Sequence, residues 1–207
     1  MKSRVFPSSH RLSTADLTRI AVLAALSAVL FLTIEIPIVA FYKLDFSNLP
    51  AVLGGFAMGP VAGVIILALK DIMHILVKGL GSTMGIGDLG DFLMGVAYVL
   101  PAALLYQRQR TRRAALTGML TGTVCMIVAG VLINWLLLIP VYQTAYHMDL
   151  AGIVAMATKA LPFVDSEWKL LLCVTAPFNL LKGLAVSILA ALIYKPLSPL
   201  LHGKREA

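Results

Sequence analysis

Long apolar runs broken by short polar stretches dominate this chain. Residues 17–36 form the first such run, which Pro37 interrupts. Residues 38–47, with Lys43 and Asp45, read as a polar-tipped loop. A second helix is expected to start at Asn48, with Pro50 just behind it, and to end early at Gly59-Pro60. A third run covers 60–77. The glycine-dense stretch 79–87 reads as a loop, a fourth run covers 88–106, and a fifth covers 115–139 before Pro140. The connection 141–174 is partly apolar and suits short interfacial helices. Pro177 fits the first turn of a helix, so the last span is placed at 177–196.

A helix crosses a hydrocarbon core of about 30 Å with roughly 20 mainly apolar residues. The pattern therefore predicts an all-α integral membrane bundle of six transmembrane helices. A lead (1–16), a membrane domain (17–196) and a tail (197–207) divide the chain. The first run is longer than the core of a signal peptide and is read as a retained span.

Composition strengthens this reading. Of 207 residues, 59% are hydrophobic and 13% charged, and the mean hydropathy is +0.91. A soluble domain carries about a quarter charged residues. Six spans leave no room for a soluble catalytic domain. The two cysteines, Cys125 and Cys173, lie in apolar runs without metal-ligand spacing.

The net charge of +7 is a topology signal. The lead (Lys2, Arg4, Arg11, Arg19), the loop with Arg108, Arg110, Arg112 and Arg113, and the tail (Lys195, Lys204, Arg205) all fall on one side of a six-span bundle. The positive-inside rule makes that side cytoplasmic, both termini included.

Ionisable residues inside a membrane are costly and point to function. Glu35, Lys70, Asp71, Asp88, Asp91 and Lys182 lie in or at the ends of spans, joined by the amides Asn134 and Asn179. Each also has a structural explanation. Lys182 can bridge helices by pairing with Asp71 or Asp91, Asp88 and Asp91 can serve a helix dipole, and Asn134 can join helices. Together they describe a pocket in the outer half, with Phe46, Phe92, Tyr98, Trp135, Tyr142 and Phe178 as flat walls. A planar or amphipathic ligand fits such a pocket.

An intramembrane enzyme is the competing class. It needs clustered metal ligands or a nucleophile with a base, yet His74 is the only histidine within a span. The chain has no His-Glu-x-x-His, no Gly-x-Ser-x-Gly and no phosphate-binding Gly-x-x-x-x-Gly-Lys-Ser/Thr sequence. No enzyme activity and no metal are expected. On the first span, Ala21 with Ala25 and Ala24 with Ala28 are spaced for close helix approach, either within the bundle or against another membrane protein.

Four segments in order carry a family resemblance. These are Lys43-Leu-Asp-Phe-Ser-Asn-Leu-Pro50, Gly59-Pro-Val-Ala-Gly63, Asn134 followed by Pro140-Val-Tyr142, and Pro177-Phe-Asn-Leu-Leu-Lys-Gly183. They resemble the riboflavin-specific substrate-binding (S) components of energy-coupling factor (ECF) transporters, the RibU family. The resemblance implies a plasma-membrane subunit that binds riboflavin, or a close flavin such as FMN, as a transported ligand, with no cofactor. A transmembrane coupling protein and two ATPase subunits would energise it. Asn134, Asn179 and Lys182 match the family's ligand-contacting positions. The loop with Lys43, Asp45 and Phe46 lies over the site, and Tyr142, Asp71 and Asp91 complete the expected set. Ala21, Ala24, Ala25 and Ala28 match the coupling-protein docking face. Asp71 and Asp91 depart from the family pattern, where asparagine is usual, and the loop 79–87 is longer. A different vitamin's S component or a solitary carrier is the alternative.

Overall fold

The computed structural model describes residues 13–39, 42–80, 85–145 and 147–202, with side chains through residue 193. Most of the lead, the end of the tail, and residues 81–84 of the glycine loop lie outside the described residues. Lys2, Arg4, Arg11, Lys204 and Arg205 are among them.

The first helix, α1, spans Thr14–Thr33 and starts at a capping box. Ser13 Oγ accepts from Asp16 N at 3.2 Å, and Asp16 Oδ2 accepts from Ser13 N at 3.1 Å. Two backbone donors that the helix leaves unserved are thereby satisfied. A short antiparallel hairpin follows, β1 (Ile36–Val39) and β2 (Tyr42–Leu44), pairing Ile36 with Leu44. The loop expected here is thus a ribbon. Helix α2 (Asn48–Met58) begins where Asn48 and Pro50 predict. At 11 residues it is about 16 Å long, too short to cross a bilayer, and eight of its residues are buried. It ends at Gly59, whose φ of 104° suits glycine, and Pro60 opens α3 (Pro60–Lys78).

Helix α4 covers Ile86–Gln109 and α5 Arg112–Ile133. Of the expected basic loop, Arg110 stands in the tight turn while Arg108 ends α4 and Arg112 and Arg113 open α5, and Thr111 caps α5 by accepting from Ala114 N at 3.1 Å. The two helices touch backbone to backbone. A Cβ on Gly118 would lie 2.7 Å from Ala102 O, and one on Gly122 would lie 2.4 Å from Tyr98 O. Small residues four apart permit this approach in lipid, where apolar burial gives little drive to helix pairing.

Beyond α5 the chain departs from expectation. A π-helical turn at Asn134–Leu138 leads into α6 (Ile139–Ala145), so the helix runs through Pro140 instead of stopping there. After α7 (Leu150–Thr158), α8 (Glu167–Leu170) passes through a second π-turn (Leu171–Thr175) into α9 (Ala176–His202). The last span therefore begins at Glu167, ahead of Pro177. Both prolines stand two residues beyond a π-turn. Such a turn already skips a carbonyl, as Ile139 N bonding to Asn134 O and Ala176 N bonding to Leu171 O make plain. The missing proline N–H then disturbs the helix less than it would in a regular ladder.

Among the described residues, five helical stretches are long and apolar enough to span a membrane: Thr14–Thr33, Pro60–Lys78, Ile86–Gln109, Arg112–Ala145 and Glu167–Ile193. The short α2 packs among them as a sixth helix that does not cross the bilayer by itself. Their outer faces carry leucines and valines such as Leu76, Leu136 and Leu192, which belong against lipid. A main core joins α1–α5 and α9 around Phe56, Leu67, Tyr98 and Met126. A second cluster packs the hairpin's Tyr42 and Leu44 against α7, the second π-turn and Phe178.

Candidate functional site

Between these two cores lies a cavity of about 460 Å³, whose most exposed charged lining residues, Lys43 and Lys78, lie at the hairpin end. Its size falls within the range of small-molecule sites. Five helical segments and the hairpin contribute to its wall.

On one side, the π-turns bring two amides together. Asn134 Nδ2 donates to Gly130 O at 2.8 Å and Asn179 Nδ2 to Thr175 O at 2.9 Å, each four residues back. Each amide therefore serves its own helix with the same geometry. Asn179 reaches across to α5, where a Cβ on Gly130 would lie 2.4 Å from Asn179 Nδ2. Tyr42 locks the pair from the hairpin. Its hydroxyl donates to Asn134 Oδ1 at 3.2 Å and shares a 2.5 Å hydrogen bond with Thr175 Oγ1. Burial holds the Tyr42 phenol above the ordinary tyrosine range, so it remains a donor. Asn179 Oδ1 is buried with no hydrogen-bond partner. Tyr142 and Phe178 add aromatic wall beside the amides, and Phe178 packs on Tyr42 with ring centroids 4.9 Å apart.

On the other side, charges form a chain. Lys182 Nζ donates to Asp45 Oδ2 at 2.8 Å and Asp91 Oδ1 at 2.7 Å. Asp91 also receives Lys70, whose Nζ stands 3.0 Å from Asp71 Oδ1. Lys70 is wholly buried, with its Nζ 4.3 Å from the Phe31 ring centroid, a cation–π contact. Asp45 Oδ1 accepts from Ser47 N at 2.9 Å and Ser47 Oγ at 2.5 Å. Buried charges are tolerable only when paired and hydrogen-bonded. The hairpin end, α3, α4 and α9 are thereby tied at one point.

The cavity gathers Lys43, Asp45, Asp91, Asn134, Tyr142, Asn179 and Lys182 from the expected set. Phe46 and Asp71 are not part of its wall; Asp71 serves Lys70 instead. Among the expected aromatic walls, Phe92 packs on the main core. Tyr98 is buried there and hydrogen-bonds Ser187 at 2.9 Å. Trp135 stacks on Trp168 at 5.3 Å, with both rings well exposed. The α1 alanines split: Ala21 and Ala25 are exposed, while Ala24 and Ala28 are buried within the bundle and unavailable for docking.

Sequence reasoning missed Tyr42 and the pairing of His74 with Asp88. His74 Nδ1 and Asp88 Oδ1 are 2.5 Å apart, although 14 residues separate them in the chain. Only the packing of α3 on α4 joins them, and no local pattern announces that. Among the described residues, no three of His, Cys, Asp and Glu are grouped to hold a metal ion.

A multi-helix membrane bundle around a mainly apolar cavity with a few placed polar groups is the architecture of a membrane ligand binder. Residues 15–194 match the family model of the ECF transporter substrate-specific component, and the chain belongs to that family. It is 30% identical to the riboflavin transporter RibU of Staphylococcus aureus, over 88% of this chain and 89% of that one. It is also 30% identical to RibU of Streptococcus thermophilus, over 88% and 84%. The riboflavin transporter FmnP of Bacillus subtilis is 25% identical over 81% and 82%. A solved structure of the S component of a bacterial ECF transporter superposes with a TM-score of 0.68. At 27% identity, it covers 91% of this chain and 98% of that one.

Proposed function

We propose that this chain is the riboflavin-binding subunit of an ECF-type uptake transporter. The supporting observation is the convergence of Asn134, Asn179, Tyr142 and Phe178 on one cavity, in a chain similar along most of its length to three riboflavin transporters. A flavin ring has a flat face for the two aromatics and an edge of alternating carbonyl and N–H groups for the two amides. A ligand N–H would give Asn179 Oδ1 the partner it lacks, and buried acceptors gain most from being paired. The chain acts as a binder and not as an enzyme, and riboflavin is cargo. ATP is hydrolysed by separate subunits, coupled through a transmembrane partner.

Both termini and the Arg108–Arg113 turn are cytoplasmic, and the hairpin end of the cavity faces outward. The lead 1–16 and tail 197–207 are cytoplasmic extensions of the membrane domain. Purified protein in detergent is expected to bind riboflavin saturably, turning yellow and quenching flavin fluorescence. Absence of saturable binding at micromolar riboflavin overturns the substrate assignment.

Docking to the coupling protein is assigned to the exposed α1 stripe around Ala21 and Ala25. Replacing both with leucine is expected to leave riboflavin binding intact while lowering ATP-driven uptake at least about tenfold, because small residues permit close helix contact. Uptake at the normal rate would move the docking face elsewhere.

A further inference from the structure

Three charged side chains meet at the rim of the cavity. Glu35 follows α1, Lys43 stands on β2, and Lys78 closes α3. Lys43 Nζ donates to Glu35 Oε2 at 2.7 Å, and Lys78 Nζ to Glu35 Oε1 at 2.5 Å. Each carboxylate oxygen thus takes one ammonium. Among the described residues, neither lysine has another carboxylate within ion-pair distance. All three side chains line the cavity, and they remain 23% (Glu35), 54% (Lys43) and 40% (Lys78) exposed.

The geometry is that of an anion seat with an internal anion in it. Two ammonium groups from different elements converge on one group of two oxygens, leaving a surplus of one positive charge. A terminal phosphate offers three oxygens and close to two negative charges, so it satisfies the same pair more fully than a carboxylate does. Burial works against ionising Glu35, yet the two lysines hold its carboxyl below the ordinary glutamate range, so the seat is filled at neutral pH. Exposed ion pairs are individually weak, which makes exchange of one anion for another inexpensive. Deeper in the cavity, Lys182 is held by two carboxylates and His74 by one. The rim lysines share a single one.

We propose that Lys43 and Lys78 form an anion seat which Glu35 occupies as a built-in competitor, so that Glu35 sets how well the cavity accepts a ligand whose tail ends in phosphate. The choice of a flavin as ligand rests on the function proposed above; the seat itself does not.

The test titrates riboflavin and riboflavin 5′-phosphate into detergent-purified wild type, Glu35→Gln and Lys43→Gln/Lys78→Gln. Glu35→Gln is expected to raise affinity for the phosphate ester relative to riboflavin by about tenfold. The double lysine variant is expected to lower that ratio below wild type. A ratio unmoved by Glu35→Gln overturns the proposal. A second arm needs no flavin: acylation of Lys43 and Lys78 is followed by mass spectrometry with and without inorganic pyrophosphate. Pyrophosphate is expected to protect both lysines in Glu35→Gln and much less in wild type, and equal labelling throughout counts against the seat. If wild type binds neither flavin while pyrophosphate still protects the variant, the substrate assignment fails and the seat stands.

Discussion

Lys182→Met is expected to destabilise the folded protein by about 3–5 kcal/mol, the usual cost of removing one partner from a buried ion pair. Lys182 and Asp45 are both nearly inaccessible, with side chains 4% and 3% exposed. The substitution leaves Asp45 with only the two Ser47 donors on its other oxygen. Asp91 keeps Lys70 and suffers less. The loss should therefore be concentrated at Asp45, and Lys182→Met/Asp45→Asn should recover more than half of it. Thermal unfolding of the single and double variants in detergent measures the coupling directly. An unchanged melting curve for Lys182→Met would mean the pair has no structural role and that the lysine serves the ligand alone.

Asn134→Ala and Asn179→Ala should behave in the opposite way, sparing stability and losing the ligand. Each amide N–H serves a carbonyl of its own helix, and Tyr42 keeps its bond to Thr175 when Asn134 is removed, so the structural cost of either change stays small. Breaking a hydrogen bond to a buried polar ligand group costs about 1–3 kcal/mol. Riboflavin affinity is therefore expected to fall by about ten- to a hundredfold in each variant. Because Tyr42 bonds to both Asn134 and Thr175, the two losses share one network and the double variant should fall short of their product. Equilibrium titration by fluorescence quenching reads all three. If both single variants bind as wild type does, the amides are not the recognition element.

The helical layout was legible because each of its signals is local. Gly59-Pro60 ends one helix and starts another through a positive φ and a fixed one, and the arginine loop sits between two apolar runs. Asn134, Asn179 and Lys182 stood out because polar side chains are rare where lipid is the solvent. Other features depend on distant partners. Nothing within residues 36–44 predicts a ribbon whose Tyr42 reaches Thr175, 133 residues away. Pro140 and Pro177 read as breaks, since a sequence shows the lost N–H and not the wider turn that accommodates it. Ala24 and Ala28 carry the same spacing as Ala21 and Ala25, and only the packed bundle separates the buried pair from the exposed one. Asp71 looked like a cavity carboxylate because its role depends on the direction Lys70 takes.

The paired π-turns carry one more consequence. A turn closed five residues back holds one residue more than a regular turn, and one residue corresponds to about 100° of rotation around a helix. Deleting a single residue from Asn134–Leu138 would spin α6 by that amount and carry Tyr142 off the cavity wall. The same deletion in Leu171–Thr175 would swing α8 and Trp168 around the fixed α9. The aim of α6 into the cavity is thus set by chain length as much as by side-chain chemistry, and homologues that share the site should keep this count while varying the residues that fill it.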